Sequence, residues 1–248
     1  MVEHLMYFIA SINISFSLQL FGNVANDDLD DRLYQAFISG NMDEWNKVLV
    51  ELDVLVSQEP TPANRFKLLH AQYGYIGYLL GVNQTGKAKE LIDKAEKQAN
   101  ILVGIPIYQS SAKAIQGALL AYQISISPYK APFLGPKSLS LINEAVALNP
   151  SNYYALIEKG NALHYAPAIV GGDPAKAVEL YRKALELIER DYKTGKPKTW
   201  WYINTYTQMG LAAQKAGNKN LAKKIYLTIL SMEPNYKLVR EDLLPKVE

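Results

Sequence analysis

The chain contains no cysteine, which excludes a disulfide framework, thiolate metal sites and cysteine nucleophiles. Histidine is scarce. His4, His70 and His164 are the whole supply of imidazole, and no two of them have the spacing of a metal pair or an HExxH helix. Neither sign of charge dominates, with 26 Lys+Arg against 24 Asp+Glu and a formal net charge of +2. That balance argues against a protein that holds nucleic acid through a broad basic field, so nucleic acid is not expected as a partner. No stretch reads as a strand. Phosphate loops are missing as well, because Gly171-Gly172 has no strand, GxGxxG or Walker lysine around it. Acidic pairs such as Asp30/Asp31 and Asp43/Glu44 stand near helix starts, where the macrodipole accounts for them. The residues therefore assign no catalytic group, no cofactor and no metal, and an enzyme is not expected.

What is present is an ordinary globular composition over 248 residues, 49% hydrophobic and 20% charged. Charge is unevenly placed: residues 1–60 hold two basic and ten acidic side chains, whereas residues 190–248 hold 11 basic and five acidic ones. An acidic end and a basic end can orient a partner or a second copy, and a homo-oligomer is one such assembly. From Leu5 to Phe21 there is no charge. This 17-residue run, followed by Gly22, Ala25 and an acidic cluster, has the length of a secretory h-region, although Glu3 stands where a basic n-region is usual. Residues 1–25 thus read as a signal peptide or apolar N-terminal segment, cut between Gly22 and Asn26; a buried first helix and a retained anchor are the other readings. Interleaved Ser11, Asn13, Ser15, Ser17 and Gln19 speak against a lipid-embedded span. The mature chain is expected to be exported, periplasmic or secreted from a Gram-negative cell, without an integral membrane span.

From about residue 27 onward apolar residues recur at three and four, broken by turn signals every 15 to 25 residues. About ten helices follow, in antiparallel pairs, with an amphipathic tail from Tyr236 to Val247. Pro136 is expected to open one helix at its first turn, and Asp173 with Pro174 to cap another. The segment from Ile203 to Asn235 fits a helix-turn-helix repeat in register, with Tyr206, Met209-Gly210, Ala213, Gly217, Ala222, Tyr226 and Pro234 at the expected places. Small residues are needed at Gly210 and Ala222 because paired helices cross closely there, while Tyr206 and Tyr226 fill the wedge. A second repeat runs from Tyr153 to Leu187 with Gly160, Ala177 and Tyr181, lengthened by five residues in the turn Ala166 to Gly172. A third, Ser110 to Pro150, aligns through Gly117, Ile142 and Ala145 and carries a longer insertion, Ser127 to Pro136.

These residues resemble a tetratricopeptide-repeat protein over most of the chain, with residues 26–248 as the repeat domain. The doubled insertion is similar to a group of exported tetratricopeptide proteins, many from Bacteroidetes. The GGDPAKA stretch is similar to the periplasmic tetratricopeptide component associated with TRAP-type transporters. The resemblance and the periodicity together imply an all-α, right-handed superhelical solenoid of about five antiparallel helix pairs with a C-terminal capping helix. They imply a non-catalytic scaffold in the cell envelope that binds a protein or peptide, or alternatively a transport-associated periplasmic subunit binding a small ligand or a solute-binding protein.

Candidate contact residues follow from placement. The two inserted turns should lie side by side and form one lobe, with Tyr129, Phe133 and Ile169 on its contact face and His164-Tyr165 at its base. Tyr154, Tyr165, Trp201 and Tyr202 lie on first helices, which line the concave face of such solenoids, where they serve either packing or ligand contact. His164 is open to the same two readings. Asn161 matches the asparagine with which some tetratricopeptide domains hold a carboxylate tail, but Ile157 and Thr207 stand where lysine is required.

Overall fold

The computed structural model describes residues 28–192 and 197–247. The signal-peptide reading of residues 1–25 lies outside the described residues. The described chain is helical throughout, with no strand among the described residues. A first helix α1 covers residues 28–39, followed by α2 (Met42–Gln58), α3 (Pro62–Gly81), α4 (Thr85–Val103) and α5 (Pro106–Ile126). The second half comprises α6 (Ala131–Leu148), α7 (Tyr153–Tyr165), α8 (Pro174–Asp191), α9 (Trp200–Lys215) and α10 (Lys219–Met232). The tail ends in a π-turn at Val239–Leu243 and a 3-10 turn at Leu244–Lys246, and Tyr236, Val239, Leu243 and Val247 are buried against the last pair. The tail therefore caps the stack as expected.

Turn chemistry places the helix starts. Asn41, Thr61, Asp173 and Asn218 each accept a backbone N–H three residues ahead, and Pro62 and Pro174 occupy the first helical position, where no donor is lost. Asn152 caps α7 through the amide of Tyr154 and also donates to the hydroxyls of Ser110 and Ser111, tying the start of α7 to α5.

Close helix crossings define the repeat. A Cβ added at Gly210 would stand 2.3 Å from Cε1 of Tyr226, and one added at Gly160 would stand 2.7 Å from the same atom of Tyr181. Both tyrosines are fully buried, so each ring fills the notch that its glycine leaves, as the repeat pattern requires. In the α3–α4 pair Ile76 stands 12 residues before Ala88, the spacing of Gly210 to Ala222, and Ile92 stands where Tyr226 does. Ile76 and Ile92 belong to one buried cluster, an aliphatic version of the same joint that explains why this repeat keeps little consensus.

One expectation needs correcting. Pro136 does not open α6; the helix begins at Ala131 and Pro136 lies inside it. Most of the first inserted segment is thus extra helix preceded by a 3-10 turn at Pro128–Lys130. A residue before proline resists the α conformation because its Cβ meets the ring, and Gly135 has no Cβ. The helix therefore runs through at the cost of one backbone hydrogen bond.

The ends of the stack meet. Trp45 of α2 lies edge-on to Trp200 of α9 at 5.1 Å, Phe37 of α1 packs on Trp200 at 6.0 Å and on Tyr236 at 5.5 Å, and the Tyr34 hydroxyl donates to Glu233. The first pair and the last pair accordingly share one hydrophobic core.

Candidate functional site

The two inserted segments leave the C-terminal ends of α5 and α7, helices that pack side by side, which brings both to one edge of the solenoid. The second segment is a tight 3-10 turn closed by Gly172 N–H to the carbonyl of Pro167 at 3.1 Å and Asp173 N–H to that of Leu163 at 2.9 Å. Gly171 takes φ +92°, and a Cβ at Gly172 would fall 2.0 Å from the carbonyl oxygen of Ala166. Only glycine fits either place. Both segments present apolar side chains to solvent: Tyr129 is 77%, Phe133 78% and Ile169 93% exposed, with Val170 and Tyr165 also exposed. Exposed side chains of this size on a hydrogen-bonded frame stand out, since most such side chains in a soluble chain are buried.

Next to that edge, inside the stack, lies a polar cluster that the sequence did not reveal. Glu158 of α7 is buried, and burial pushes its carboxyl up to about 7. It accepts Asn161 Nδ2 at 3.0 Å and bonds Tyr73 of α3. Asn161 also donates to the Tyr73 hydroxyl at 3.2 Å and accepts the Tyr181 hydroxyl of α8 at 2.7 Å, while Tyr73 stacks on Tyr122 of α5 at 5.4 Å. Asn161 is thus committed to holding α3, α7 and α8 together. One turn on, the Tyr165 hydroxyl donates to Gln208 of α9 at 2.6 Å, and Lys215 Nζ donates to the His164 carbonyl at 2.5 Å. His164 is buried with Nδ1 unpartnered, and burial beside the Lys215 ammonium brings its imidazole down to about 4. It is a neutral ring beside that exposed edge, in T-shaped contact with Tyr165 at 4.4 Å.

The remaining predicted residues fall in a third group. Trp201 and Tyr202 are buried. Trp201 stacks on Tyr153 at 5.2 Å, Tyr154 meets His70 at 4.9 Å, and Tyr202 and Tyr206 both donate to Glu189 at 2.6 and 2.9 Å. Trp201, Tyr202 and Tyr154 are thus in contact with neighbouring first-helix rings. His70 lies in the same aromatic layer against Trp200 at 4.7 Å, and burial alone brings it down to about 3. The structure thus separates the nine predicted contact residues into the edge (Tyr129, Phe133, Tyr165, Ile169), its polar base (Asn161, His164) and the aromatic interior (Tyr154, Trp201, Tyr202). Among the described residues no group of three or more His, Asp and Glu side chains is placed to hold a metal ion.

Comparison with known proteins agrees with this architecture. A tetratricopeptide repeat model matches residues 203–236, the α9–α10 pair. The fold is similar to that of the HusA haemophore from Porphyromonas gingivalis, with a TM-score of 0.53 at 16% sequence identity, over 76% of this chain and 93% of that one. No curated protein matches. The chain is an all-α tetratricopeptide-like solenoid, a class of repeat that is generally non-catalytic and suggests protein partners. Among the described residues no helix is long and apolar enough to cross a membrane.

Proposed function

We propose that this protein is a non-catalytic scaffold of the cell envelope that captures a protein or peptide partner along the edge formed by Tyr129, Phe133, Tyr165 and Ile169. The observation that carries the reading is the exposure of Phe133 and Ile169 on backbone that is itself hydrogen-bonded and helical. Ordering is complete before a partner arrives, so little of the gain from burying these side chains is lost to entropy. A partner that covers both removes two large apolar groups from water, about 1.5–3 kcal/mol each. Replacement of Phe133 and Ile169 by serine is expected to weaken partner capture at least tenfold at an unchanged melting temperature, because neither side chain contributes to the core. Cross-linking in intact cells with the wild-type and doubly substituted chains measures the first quantity, and thermal melting the second. Equal capture by both chains removes the edge from consideration.

The likeness to a haemophore supplies a second reading within the small-ligand alternative, in which the same flat apolar rings receive a planar porphyrin. Titration with haemin separates the two: a saturable Soret shift that the serine variants lose favours the porphyrin, and an unchanged spectrum favours the protein partner.

A further inference from the structure

A different surface of the molecule is unfinished in the isolated chain. Between α2 and α4, over α3, lies a cleft of about 370 Å³. Its α2 wall carries Val50 and Val54, both exposed, with Val50 at 60%. Its lining includes Gln72 of α3, which is 3% exposed and whose Oε1 has no hydrogen-bond partner. Buried acceptors without a partner are uncommon in folded chains because they lose hydration and gain nothing for it. Around the aliphatic wall stand two acids, Asp53 and Glu90, and two bases, Lys87 and Lys94. None of the four takes part in an ion pair among the described residues.

We infer that this cleft is a self-association surface whose occupant is a second copy of the chain. The argument is charge complementarity. An isologous contact brings each residue i opposite a residue j and each j opposite an i, so a patch that pairs with itself must carry both signs in balance. A patch meant for an acidic or a basic partner carries one sign instead. Two acids and two bases around exposed valines meet the first condition and fail the second. The α2 ridge bearing Val50 and Val54 forms one wall of the cleft, so a two-fold axis lets the ridge of each copy close the cleft of the other. Asp53 on the ridge of each copy then faces Lys94 on α4 of its mate. The surface lies on α2–α4, away from the edge proposed for partner capture on α5–α8, and the inference does not rest on that proposal.

Sedimentation equilibrium of the purified protein over a wide concentration range is the test. The wild-type chain is expected to reach twice the monomer mass. Asp53→Lys alone and Lys94→Asp alone are expected to weaken association at least tenfold, and the Asp53→Lys/Lys94→Asp double substitution to restore it, because reciprocal reversal rebuilds the 53–94 pair with its signs exchanged. Both positions are exposed on helices, so helical circular dichroism and melting curves should remain those of the wild type. Phe133→Ser/Ile169→Ser should leave the mass unchanged. A wild-type chain that stays monomeric overturns the inference, and so does a dimer indifferent to the single reversals and to Val50→Asp. Failure of the double substitution to restore what the single ones lose overturns the reciprocal pairing.

Discussion

Gly210→Val is expected to destabilise the protein by about 3 kcal/mol or more, the cost of forcing extra carbon into a filled core where no shift of a flexible side chain can relieve it. The first added carbon alone would stand 2.3 Å from Cε1 and 2.9 Å from Cδ1 of Tyr226, a ring with no exposure and no direction of retreat. Valine also loses rotamer freedom in a helix, a smaller effect of the same sign. Gly160→Val meets Tyr181 in the same way at 2.7 Å and should behave alike. Gly86→Ala is the contrasting control: nothing lies within 4 Å of its added Cβ, and with only helix propensity changed a gain of about 0.5–1 kcal/mol is expected. Thermal melting of the three variants measures the ordering. If Gly210→Val melts like Gly86→Ala, the two helices do not cross where Tyr226 places them. A coupling test sharpens the point, because Tyr226→Ala opens the space that valine needs, so the double substitution should cost less than the two single ones together.

That joint was legible in the sequence because both halves of it lie within one repeat. Gly210 and Tyr226 are 16 residues apart, and the spacing reappears at Gly160 and Tyr181 once the inserted turn is allowed for. The course of the first insertion was less legible. Pro136 read as a helix start, and the fact that Gly135 lets a helix run through a proline depends on a steric detail that periodicity does not express. The closure of the stack was not legible at all. Trp45 and Trp200 meet at 5.1 Å across 155 residues of chain, whereas a repeat pattern describes only the contact of each unit with its neighbours. The consequence for the candidate site is direct. Rings expected to line an open concave face, among them Tyr154 and Trp201, are covered by one another and by neighbouring first-helix side chains, so of the predicted contact residues the exposed ones are Tyr129, Phe133, Tyr165 and Ile169.

Glu158 was not legible for a related reason. On α7 it shares a face with Asn161 and Tyr165, at three and seven residues, but only Tyr73 from α3 and the enclosing helices make that face an interior. Its ionisation should be visible in stability. A carboxyl whose folded value is about 7 against an ordinary 4.5 binds its proton more tightly in the folded chain, so it stabilises fully below the ordinary value, and that contribution is lost as pH rises through about 7. The two buried imidazoles act in the opposite sense. His70 at about 3 and His164 at about 4, against an ordinary 6.5, must be neutral in the folded chain, so their contribution is present above 6.5 and is lost as pH falls toward those values. Between about 4.5 and 6.5 two imidazoles oppose one carboxyl and stability rises with pH; near 7 the remaining imidazole and carboxyl effects nearly cancel and stability levels off. A rise to a plateau near pH 7 is therefore expected, and the alkaline cost of Glu158 shows in comparison with a chain that lacks the carboxyl. Glu158→Gln keeps the shape and an oxygen acceptor but cannot ionise. At pH 5 it should melt within a degree or two of the wild type, and at pH 8.5 it should be more stable by up to about 3 kcal/mol, or roughly 10 °C for a chain of this size. Melting curves of both chains across this range decide the matter. A difference between them that stays constant with pH would mean that Glu158 ionises in the folded chain at its ordinary value, and that the cluster with Tyr73, Asn161 and Tyr181 is open to water.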